Sequence, residues 1–431
     1  MTDTIFALSS GALPSGVALI RVSGSRVRDI LMSICGLVPQ PRLAHYCKIS
    51  SPEGDEIDRG LVMFFENPRS FTGEDVAELH LHGGRAVVAR MLNVLAAFSG
   101  VRQAEQGEFT KRAFLNGKLD LTEAEALADL IEAQTEAQRR FALLNAGGGQ
   151  KELYESWRTQ LISSRALLEA ELDFSDQEDV PGSVSDSVLA DLSHLVRSIE
   201  EHIATFHRAE IIRDGFDVVI VGAPNAGKSS LLNALTRRDV ALVSDEPGTT
   251  RDLIEVALDL NGIKVRVTDT AGIREGAGKV ETLGIERAKE RASKADLVLH
   301  LRDLTSAGPI DEFPDAVKIG TKADLFDAIS GDLVISTQTG QGISALLDLI
   351  ERRARDALGR QGDLLPSRER HISLLKNAVG HLRDALGGYG GLVELQAEAL
   401  RYASDEVGKV TGRVDVEDIL DVIFSRFCIG K

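Results

Sequence analysis

Two kinds of hydrophobic pattern alternate over the first part of the chain. Residues 17–22 (VALIRV) and 76–82 (VAELHLH) have the composition and spacing of β-strands. Residues 27–36 and 84–98 instead place their apolar side chains on one face of a helix. Because the two patterns are interleaved, we predict an N-terminal α/β domain over residues 1–118.

Helical patterns dominate the segment that follows. Thr122 and Glu125 have the spacing of a capping box, so we expect one helix to begin there and to end at residues 145–149, NAGGG. Further helices are predicted over about 151–173 and about 185–212. These helices form the first part of a predicted all-α domain.

A buried sheet is predicted further along the chain. Residues 216–222 (FDVVIVG) are almost continuously apolar, as expected of a parallel strand that is buried on both faces. Similar runs follow, with helical stretches between most of them, at 263–269, 296–301, 316–320 and 333–336. This alternation predicts a doubly wound α/β domain that ends near residue 360.

The order of these patterns predicts a multidomain protein, α/β plus all-α, in which the doubly wound domain is inserted into the helical one. The predicted domains are residues 1–118, a first helical part at 119–213, the doubly wound domain at 214–362, and a second helical part at 363–431 that ends in CIGK.

Composition narrows the classes of function. The 431 residues are 43% hydrophobic and carry a net charge of −17, so a general nucleic-acid binder is not expected, and any RNA contact requires a local basic patch or a partner. Cys35, Cys47 and Cys428 lack CxxC spacing and support neither a disulfide framework nor a zinc site. Without a basic leader segment or an apolar run of about 20 residues, a cytoplasmic protein outside the membrane is expected.

A phosphate-binding motif follows the first buried strand. GAPNAGKS at 222–229 fits G-x-x-x-x-G-K-[ST] and precedes a helical stretch. Loop amides would surround the phosphates, Lys228 would place its charge on the β- and γ-phosphate oxygens, and the Ser229 hydroxyl would reach Mg²⁺. The predicted nucleotide contacts in this loop are Asn225, Ala226, Gly227, Lys228, Ser229 and Ser230.

Two further segments complete the predicted phosphate site. PGTTRD at 247–252 supplies Thr250 for Mg²⁺ and the γ-phosphate, and DTAG at 269–272 supplies Asp269 for Mg²⁺ through water. The predicted nucleotide contacts here are Ser244, Asp245, Glu246, Pro247, Gly248, Thr249, Thr250, Asp269, Thr270, Ala271 and Gly272.

The base is predicted to be guanine. In TKAD at 321–324, a carboxylate can accept hydrogen bonds from guanine N1–H and the N2 amine, which adenine cannot offer, and STQTG at 336–340 would be the loop beneath the base. Threonine stands where such motifs usually have asparagine. The predicted contacts are Thr321, Lys322, Asp324, Ser336 and Thr337.

The attacking water lacks the side chain that usually orients it. Ile273 follows DTAG, where a Ras-like GTPase has glutamine. From the residues alone, Glu281 or a cation beside the phosphates could take over this task, although the position of Glu281 is more typical of a solvated helix start. Arg251 and Arg274 are available, but no arginine finger can be assigned.

Several longer segments occur in an order that resembles one family. They are DTIFALSS with GVALIRVSG, SFTGEDVAELHLHGG, GEFTKRAFLNGKLDLTEAEALADLI, GAPNAGKSSLLNAL, DEPGTTRD, DTAGIRE with VETLGIERA, and the terminal FCIGK. Together they resemble the MnmE (TrmE) family of tRNA-modification GTPases over essentially the whole chain.

The resemblance implies an architecture and an activity. It implies a folate-binding N-terminal domain that dimerises, a helical domain and an inserted Ras-like P-loop G domain. The homodimer would form a heterotetramer with the flavoprotein MnmG, which holds FAD, and would modify carbon 5 of the wobble uridine (position 34) of tRNA. A tetrahydrofolate derivative, 5,10-methylene or 5-formyl, would supply one carbon, and K⁺-dependent pairing of G domains would drive GTP hydrolysis.

The resemblance also assigns roles to residues. Ser229 and Thr250 would bind Mg²⁺, and Glu281 matches the glutamate that orients water. The K⁺ ligands would be Asn225, Ser244, Glu246 and Thr249. The folate contacts would be Arg21, Glu78, Lys118 and Lys431. Cys428 is a candidate for the modification chemistry, although an inert buried thiol is about as well supported.

Other interpretations remain open at this stage. His80 and His82 alternate with leucines on a strand and lack a third ligand, so we interpret them as structural. A ribosome-assembly GTPase of the Era/Der type would share GAPNAGKSSLLNAL and the apolar residue after DTAG, but it would lack GEFTKRAFLNGKLDL and FCIGK. A GTP-switched scaffold without its own carbon-transfer chemistry is a third possibility.

Overall fold

The chain forms two compact units. The computed structural model describes residues 3–173, 184–242, 255–269, 289–305, 313–326, 333–359, 362–387, 392–414, 417–425, 427 and 429–430. The first unit comprises Met1–Ala128, Lys151–Ile162 and Ser404–Lys431, and the second comprises Asp129–Gln150 and Ser163–Ala403.

A six-stranded sheet forms the centre of the first unit. Its strands are β1 (Thr4–Leu8), β2 (Ser15–Ser23), β3 (His45–Ser50), β4 (Glu56–Phe65), β5 (Val76–Gly83) and β6 (Val101–Gln103), in the order β3-β4-β5-β2-β1-β6. All neighbours are antiparallel except β1 and β6. Helices α1 (Val27–Cys35) and α2 (Arg85–Ala96) share an apolar core with this sheet, in which Ile20 and Leu79 are fully buried.

The C-terminal tail is fixed to this first unit. Ile429 forms an antiparallel bridge with Gln106, and the Ser9 hydroxyl donates to the Gly430 carbonyl at 2.9 Å. Gly430 has φ 99°, and a Cβ there would lie 2.4 Å from the Leu8 carbonyl oxygen, so only glycine fits. The tail therefore closes against the strand ends of the N-terminal sheet.

The helices after the sheet differ from two of our predictions. They are α3 (Glu108–Leu115), α4 (Leu121–Glu132), α5 (Glu136–Ala146), α6 (Gly149–Asp173), α7 (Val184–Ala204) and α8 (Phe206–Asp214). The single helix expected up to residue 144 is two helices, because Thr135 and Gln138 form a capping box that starts α5. The stretch predicted over 185–212 is likewise two helices, which break at Thr205.

The expected capping box of Thr122 and Glu125 is also wrong. The Asp120 amide donates to Glu123 at 2.8 Å, and the Glu123 amide donates to the Asp120 carboxylate at 2.8 Å. The Thr122 hydroxyl itself donates to Asp120. The carboxylate of Asp120 thus caps the helix two residues earlier than we predicted.

A second six-stranded sheet lies in the second unit. Its strands are β7 (Phe216–Val221), β8 (Glu255–Leu260), β9 (Ile263–Asp269), β10 (Leu297–Asp303), β11 (Val317–Thr321) and β12 (Leu333–Val334), in the order β12-β11-β10-β7-β9-β8. Only β8 is antiparallel to its neighbour. β8 is a strand that we did not predict, because its alternating pattern, EVALDL, differs from that of the continuously apolar parallel strands.

Further helices lie between β7 and β8 and after β12. They are α9 (Lys228–Thr236), α10 (Ile343–Leu358), α11 (Glu369–Leu386), α12 (Val393–Thr411) and α13 (Glu417–Phe424). α11 packs against α7. No helix in the part of the chain that the structure describes is long and apolar enough to cross a membrane.

Candidate nucleotide site and a second polar site

The loop between β7 and α9 has the shape that phosphate binding requires. Gly222, Asn225 and Gly227 all have positive φ, at 147°, 66° and 93°. A Cβ at Gly222 would lie 2.5 Å from the Leu301 carbonyl oxygen, so the loop can pass this close to β10 only with glycine there. The loop leads directly into α9, and the free amides at the N-terminus of this helix favour binding of an anion.

The lysine of this loop folds back over it. Lys228 is only 7% exposed, and its ammonium donates to the carbonyl oxygens of Gly222 at 2.7 Å and Ala223 at 2.9 Å. These contacts hold the positive charge beside the loop. The charge and the helix N-terminus attract the same anion, which fits the predicted role on the β- and γ-phosphates.

The two predicted magnesium residues of the described chain meet in the structure. The Ser229 hydroxyl donates to the Asp269 carboxylate at 2.9 Å, and Asp269 is buried at the end of β9, next to β7. A hydroxyl and a carboxylate are the hard oxygen ligands that Mg²⁺ prefers, so this pair fits the ion. Ser229 and Asp269 are brought together only by the pairing of β7 with β9.

The residues of TKAD, which we predicted to recognise the base, lie at and just after the end of β11. Thr321 stands opposite Asp303 in the parallel pairing, and its hydroxyl donates to the Arg302 carbonyl at 3.2 Å. A Cβ built at Gly227 would be 3.8 Å from Thr321. Threonine thus packs beside the phosphate loop in the place of the usual asparagine. The side chain of Asp324 is exposed in the following turn.

Sequence reasoning missed one residue of this site. Asp303 pairs with the Lys322 ammonium, and this contact together with the Thr305 hydroxyl and amide lowers the pKa of Asp303 to about 2. The Asp303 carboxylate holds the ammonium of Lys322, whose backbone has a left-handed φ of 62°. Lys322 precedes Asp324 in the TKAD motif. The acid at the last position of a buried strand was the available signal.

The loop at 336–340, which we predicted to lie beneath the base, is closed by its own hydrogen bonds. Buried Ser336 accepts from the amides of Gln338 and Thr339, each at 3.3 Å, and its own amide donates to Gln341 at 3.0 Å. Thr337 lies inside this turn, partly buried.

Many predicted site residues lie outside the described residues, and their roles stay predictions. They are Ser244, Asp245, Glu246, Pro247, Gly248, Thr249, Thr250, Thr270, Ala271, Gly272, Glu281, Cys428 and Lys431, together with Arg251, Ile273 and Arg274.

A second polar site lies on the N-terminal sheet. Arg21 on β2 stands opposite Glu78 on β5, and its Nε and Nη2 donate to Glu78 Oε1 at 3.2 and 2.9 Å. The guanidinium carbon lies 5.5 Å from the ring centre of Phe71 and 5.8 Å from that of Phe109. Exposed Lys118 instead donates to the Pro68 carbonyl at 2.9 Å.

Comparison with known proteins decides the family. The model of the "GTP-binding protein TrmE N-terminus" matches residues 4–118, and that of the "MnmE helical domain" matches residues 121–428. The chain belongs to the MnmE family. It is therefore a GTPase, in agreement with the phosphate loop and the Ser229–Asp269 pair.

Curated members of the MnmE family match along their full length. The tRNA modification GTPase MnmE of Mesorhizobium japonicum is 57% identical, and the match covers 100% of this chain and 99% of that protein. The protein of the same name from Brucella anthropi is also 57% identical, with the same coverage.

Two of the solved structures that match this chain cover part of it. The G domain of the Thermotoga maritima FeoB iron transporter is 24% identical over 32% of this chain and 98% of its own, with a TM-score of 0.24. A single-residue variant of Aquifex aeolicus Era bound to GDP and aluminium fluoride is 25% identical over 38% of this chain and 66% of its own, with a TM-score of 0.26. The assignment of a P-loop G domain here rests on the strand order and the loop geometry.

Proposed function

We propose that this GTPase acts in the cytoplasm with the flavoprotein MnmG, which holds FAD, to modify carbon 5 of the wobble uridine of tRNA. A tetrahydrofolate derivative bound to the N-terminal domain supplies the one-carbon unit. The two proteins form a heterotetramer around a homodimer of this chain. The names of the curated MnmE relatives support a role in tRNA modification.

The observation that carries the folate part is the Arg21–Glu78 pair beside two aromatic rings. It lies in the first unit, whereas the phosphate loop lies in the second. A pterin is a flat ring with a polar edge, and it fits a site that combines the partly buried ring of Phe71 with a carboxylate and a guanidinium. Lys118 and Lys431 are the further folate contacts in this proposal, and Cys428 lies in the tail as a candidate for the chemistry.

The domain boundaries belong to the same proposal. Residues 1–118 form the folate-binding and dimerisation domain, residues 119–213 and 363–431 form the helical domain, and residues 214–362 form the inserted G domain. The nucleotide contacts predicted from the sequence, from Asn225 to Thr337, are retained as its GTP site.

Hydrolysis requires a positioned water and compensation of phosphate charge. Glu281 orients the water, since Ile273 cannot form the hydrogen bond. Ser229 and Thr250 would hold Mg²⁺, and Asn225, Ser244, Glu246 and Thr249 would hold K⁺; the bound cations supply positive charge at the phosphates. Asn225 already has a left-handed φ of 66° that turns the loop at this point.

Labelled folate tests the proposed reaction directly. The full chain, MnmG, GTP, K⁺ and unmodified tRNA are incubated with 5,10-methylene-tetrahydrofolate that carries ¹³C in the methylene group. Mass spectrometry of tRNA nucleosides should find one ¹³C in the modified uridine at position 34. A modified nucleoside that contains only ¹²C would overturn the folate part of the proposal.

A further inference from the structure

We propose that His80 is a further contact for the ligand of the N-terminal site, and that its Nε2 recognises the polar edge of a reduced pterin together with Glu78. This inference rests on the proposed folate function. It assigns a binding role to a histidine that the sequence alone led us to interpret as structural.

The sheet places His80 beside the proposed folate residues. Side chains alternate between the two faces of a strand, so Glu78, His80 and His82 share one face of β5. Leu79, between them, is fully buried in the core formed with α1 and α2. His80 stands opposite Leu19 on β2 and Leu61 on β4, two positions along β5 from the Arg21–Glu78 pair.

The hydrogen bonds on this face of β5 leave two polar atoms facing each other. The hydrogen bonds from Arg21 Nε and Nη2 both go to Glu78 Oε1, and Oε2 accepts no hydrogen bond from any residue that the structure describes. His80 Nε2 lies 3.8 Å from this Oε2, which is too long for a hydrogen bond. Nε2 is itself buried, and it has no hydrogen-bond partner among the described residues.

His82 shows what a satisfied histidine on the same face looks like. Its Nδ1 lies 2.8 Å from Asp58 Oδ1, and its backbone amide donates to Asp58 Oδ2, while the ring remains largely exposed. Buried polar groups in folded proteins nearly always have partners, so the unpaired nitrogen of His80 beside an unpaired carboxylate oxygen marks a place where a bound molecule completes the hydrogen bonds.

The chemistry of the two atoms defines the ligand. Glu78 Oε2 accepts, and a neutral imidazole nitrogen donates or accepts according to its tautomer. A molecule that bridges them needs a donor next to a second polar group, which the 2-amino-4-oxo edge of a pterin offers. The partly buried ring of Phe71 near Arg21 supplies apolar surface for the bicyclic ring, whereas Phe109 lies fully buried beneath Arg21 in the core.

Calorimetry on the full-length chain tests the role of His80. 5-Formyl-tetrahydrofolate is titrated into the wild type, His80→Ala, His80→Gln and the matched control His82→Gln. Loss of one hydrogen bond in a largely desolvated site should raise the Kd of His80→Ala about tenfold, since a factor of ten corresponds to one such contact. His80→Gln should recover most of the affinity, because an amide also offers a donor and an acceptor. His82→Gln should bind within about twofold of the wild type.

A ligand fragment separates ring recognition from a general structural defect. p-Aminobenzoylglutamate lacks the pterin, so wild type and His80→Ala should bind it equally. Thermal melting should give similar midpoints for the wild type and both His80 variants, because the substituted nitrogen has no partner to lose within the described structure.

The outcomes distinguish this inference from the function on which it rests. If the wild type fails to bind 5-formyl-tetrahydrofolate, the proposed folate function fails and the role of His80 fails with it. If the wild type binds and His80→Ala binds equally well, only the role of His80 is overturned. Equal weakening of the whole ligand and the fragment, with a lowered melting midpoint, would make His80 a structural residue and would also overturn the inference.

Discussion

The phosphate loop and the polar site on the N-terminal sheet obtain their geometry in different ways. Consecutive residues 222–229 form the phosphate loop. Many of its phosphate-binding groups are backbone amides, which do not depend on the identity of the side chain. Arg21 and Glu78 are 57 residues apart, and they meet only because β2 pairs with β5 in one register. A shift of either strand by one residue would turn its side chain toward the core.

The two sites should therefore tolerate different changes. The loop depends on a few glycines and one lysine, whereas the sheet site depends on pairing across strands and on the tail that closes near Ser9 and Gln106. Because the two sites belong to separate compact units, a change in one should leave the other intact.

Deletion of the last four residues should have the largest effect. Without CIGK, the contacts of Ile429 with Gln106 and of Gly430 with Ser9 are lost in the first unit. We expect tRNA modification to fall to background, because the tail belongs to the unit that carries the proposed folate site. GTP hydrolysis should stay within about twofold of the wild type, because the phosphate loop belongs to the other unit. Nucleoside mass spectrometry and phosphate release measure the two activities. Equal loss of both would mean that the tail holds the entire chain together.

Glu281→Ala should reduce GTP hydrolysis by about 10²-fold or more, the effect of losing a group that orients or deprotonates the nucleophile. GTP affinity should change little, because Glu281 lies outside the loops that are predicted to contact the phosphates. Stopped-flow binding and single-turnover hydrolysis give the two quantities.

Replacement of K⁺ by Na⁺ provides the control for this variant. Na⁺ should slow turnover and also abolish association of G domains with GDP and aluminium fluoride, whereas Glu281→Ala in K⁺ should still associate. If Glu281→Ala hydrolyses GTP at the wild-type rate, Arg251 or Arg274 becomes the candidate for orienting the attacking water.

Asp303→Asn should weaken GTP binding without slowing the chemical step. The substitution removes the charge that holds Lys322, a predicted base contact, so KM for GTP should rise about tenfold with kcat unchanged. The pKa of Asp303 is lowered to about 2, so the ion pair is complete above the ordinary carboxyl pKa and is lost only as pH falls through about 2. The effect should therefore be the same at about pH 6 and about pH 8.

The control for Asp303 is an exposed ion pair of the same unit. Glu290 pairs with Lys294 at 2.8 Å, and both side chains are largely exposed. Glu290→Gln should leave KM unchanged, as expected for a surface pair. A fall in kcat for Asp303→Asn at saturating GTP would show that this residue affects more than base binding.

The smallest expected effects are those on the opposite site in a reciprocal pair of variants. Lys228→Ala should lose GTP binding yet keep the wild-type Kd for 5-formyl-tetrahydrofolate within about twofold, and Arg21→Ala should do the reverse. Calorimetry with each ligand provides the four values. Loss of folate binding in Lys228→Ala would refute the independence of the sites.

Sequence patterns determined the parts of the molecule in which neighbours along the chain make the structure. GAPNAGKS specifies its own turn because glycines supply the positive φ values at 222 and 227, and continuous apolar runs specify buried parallel strands wherever they pack. The order of the motifs was likewise sufficient to predict the family, and the matches over residues 4–118 and 121–428 confirm that prediction.

Only the tertiary structure decided contacts between distant side chains. Asp303 reaches Lys322 because β10 and β11 pair in parallel. The Oε2 of Glu78 is left facing His80 because Arg21 Nε and Nη2 both donate to Oε1. The start of α4 and the break before α5 were likewise decided by competition among nearby side chains, in which Asp120 and Thr135 became the caps. Spacing along the chain cannot predict such outcomes, because they depend on strand register and on which of several donors and acceptors pair in three dimensions.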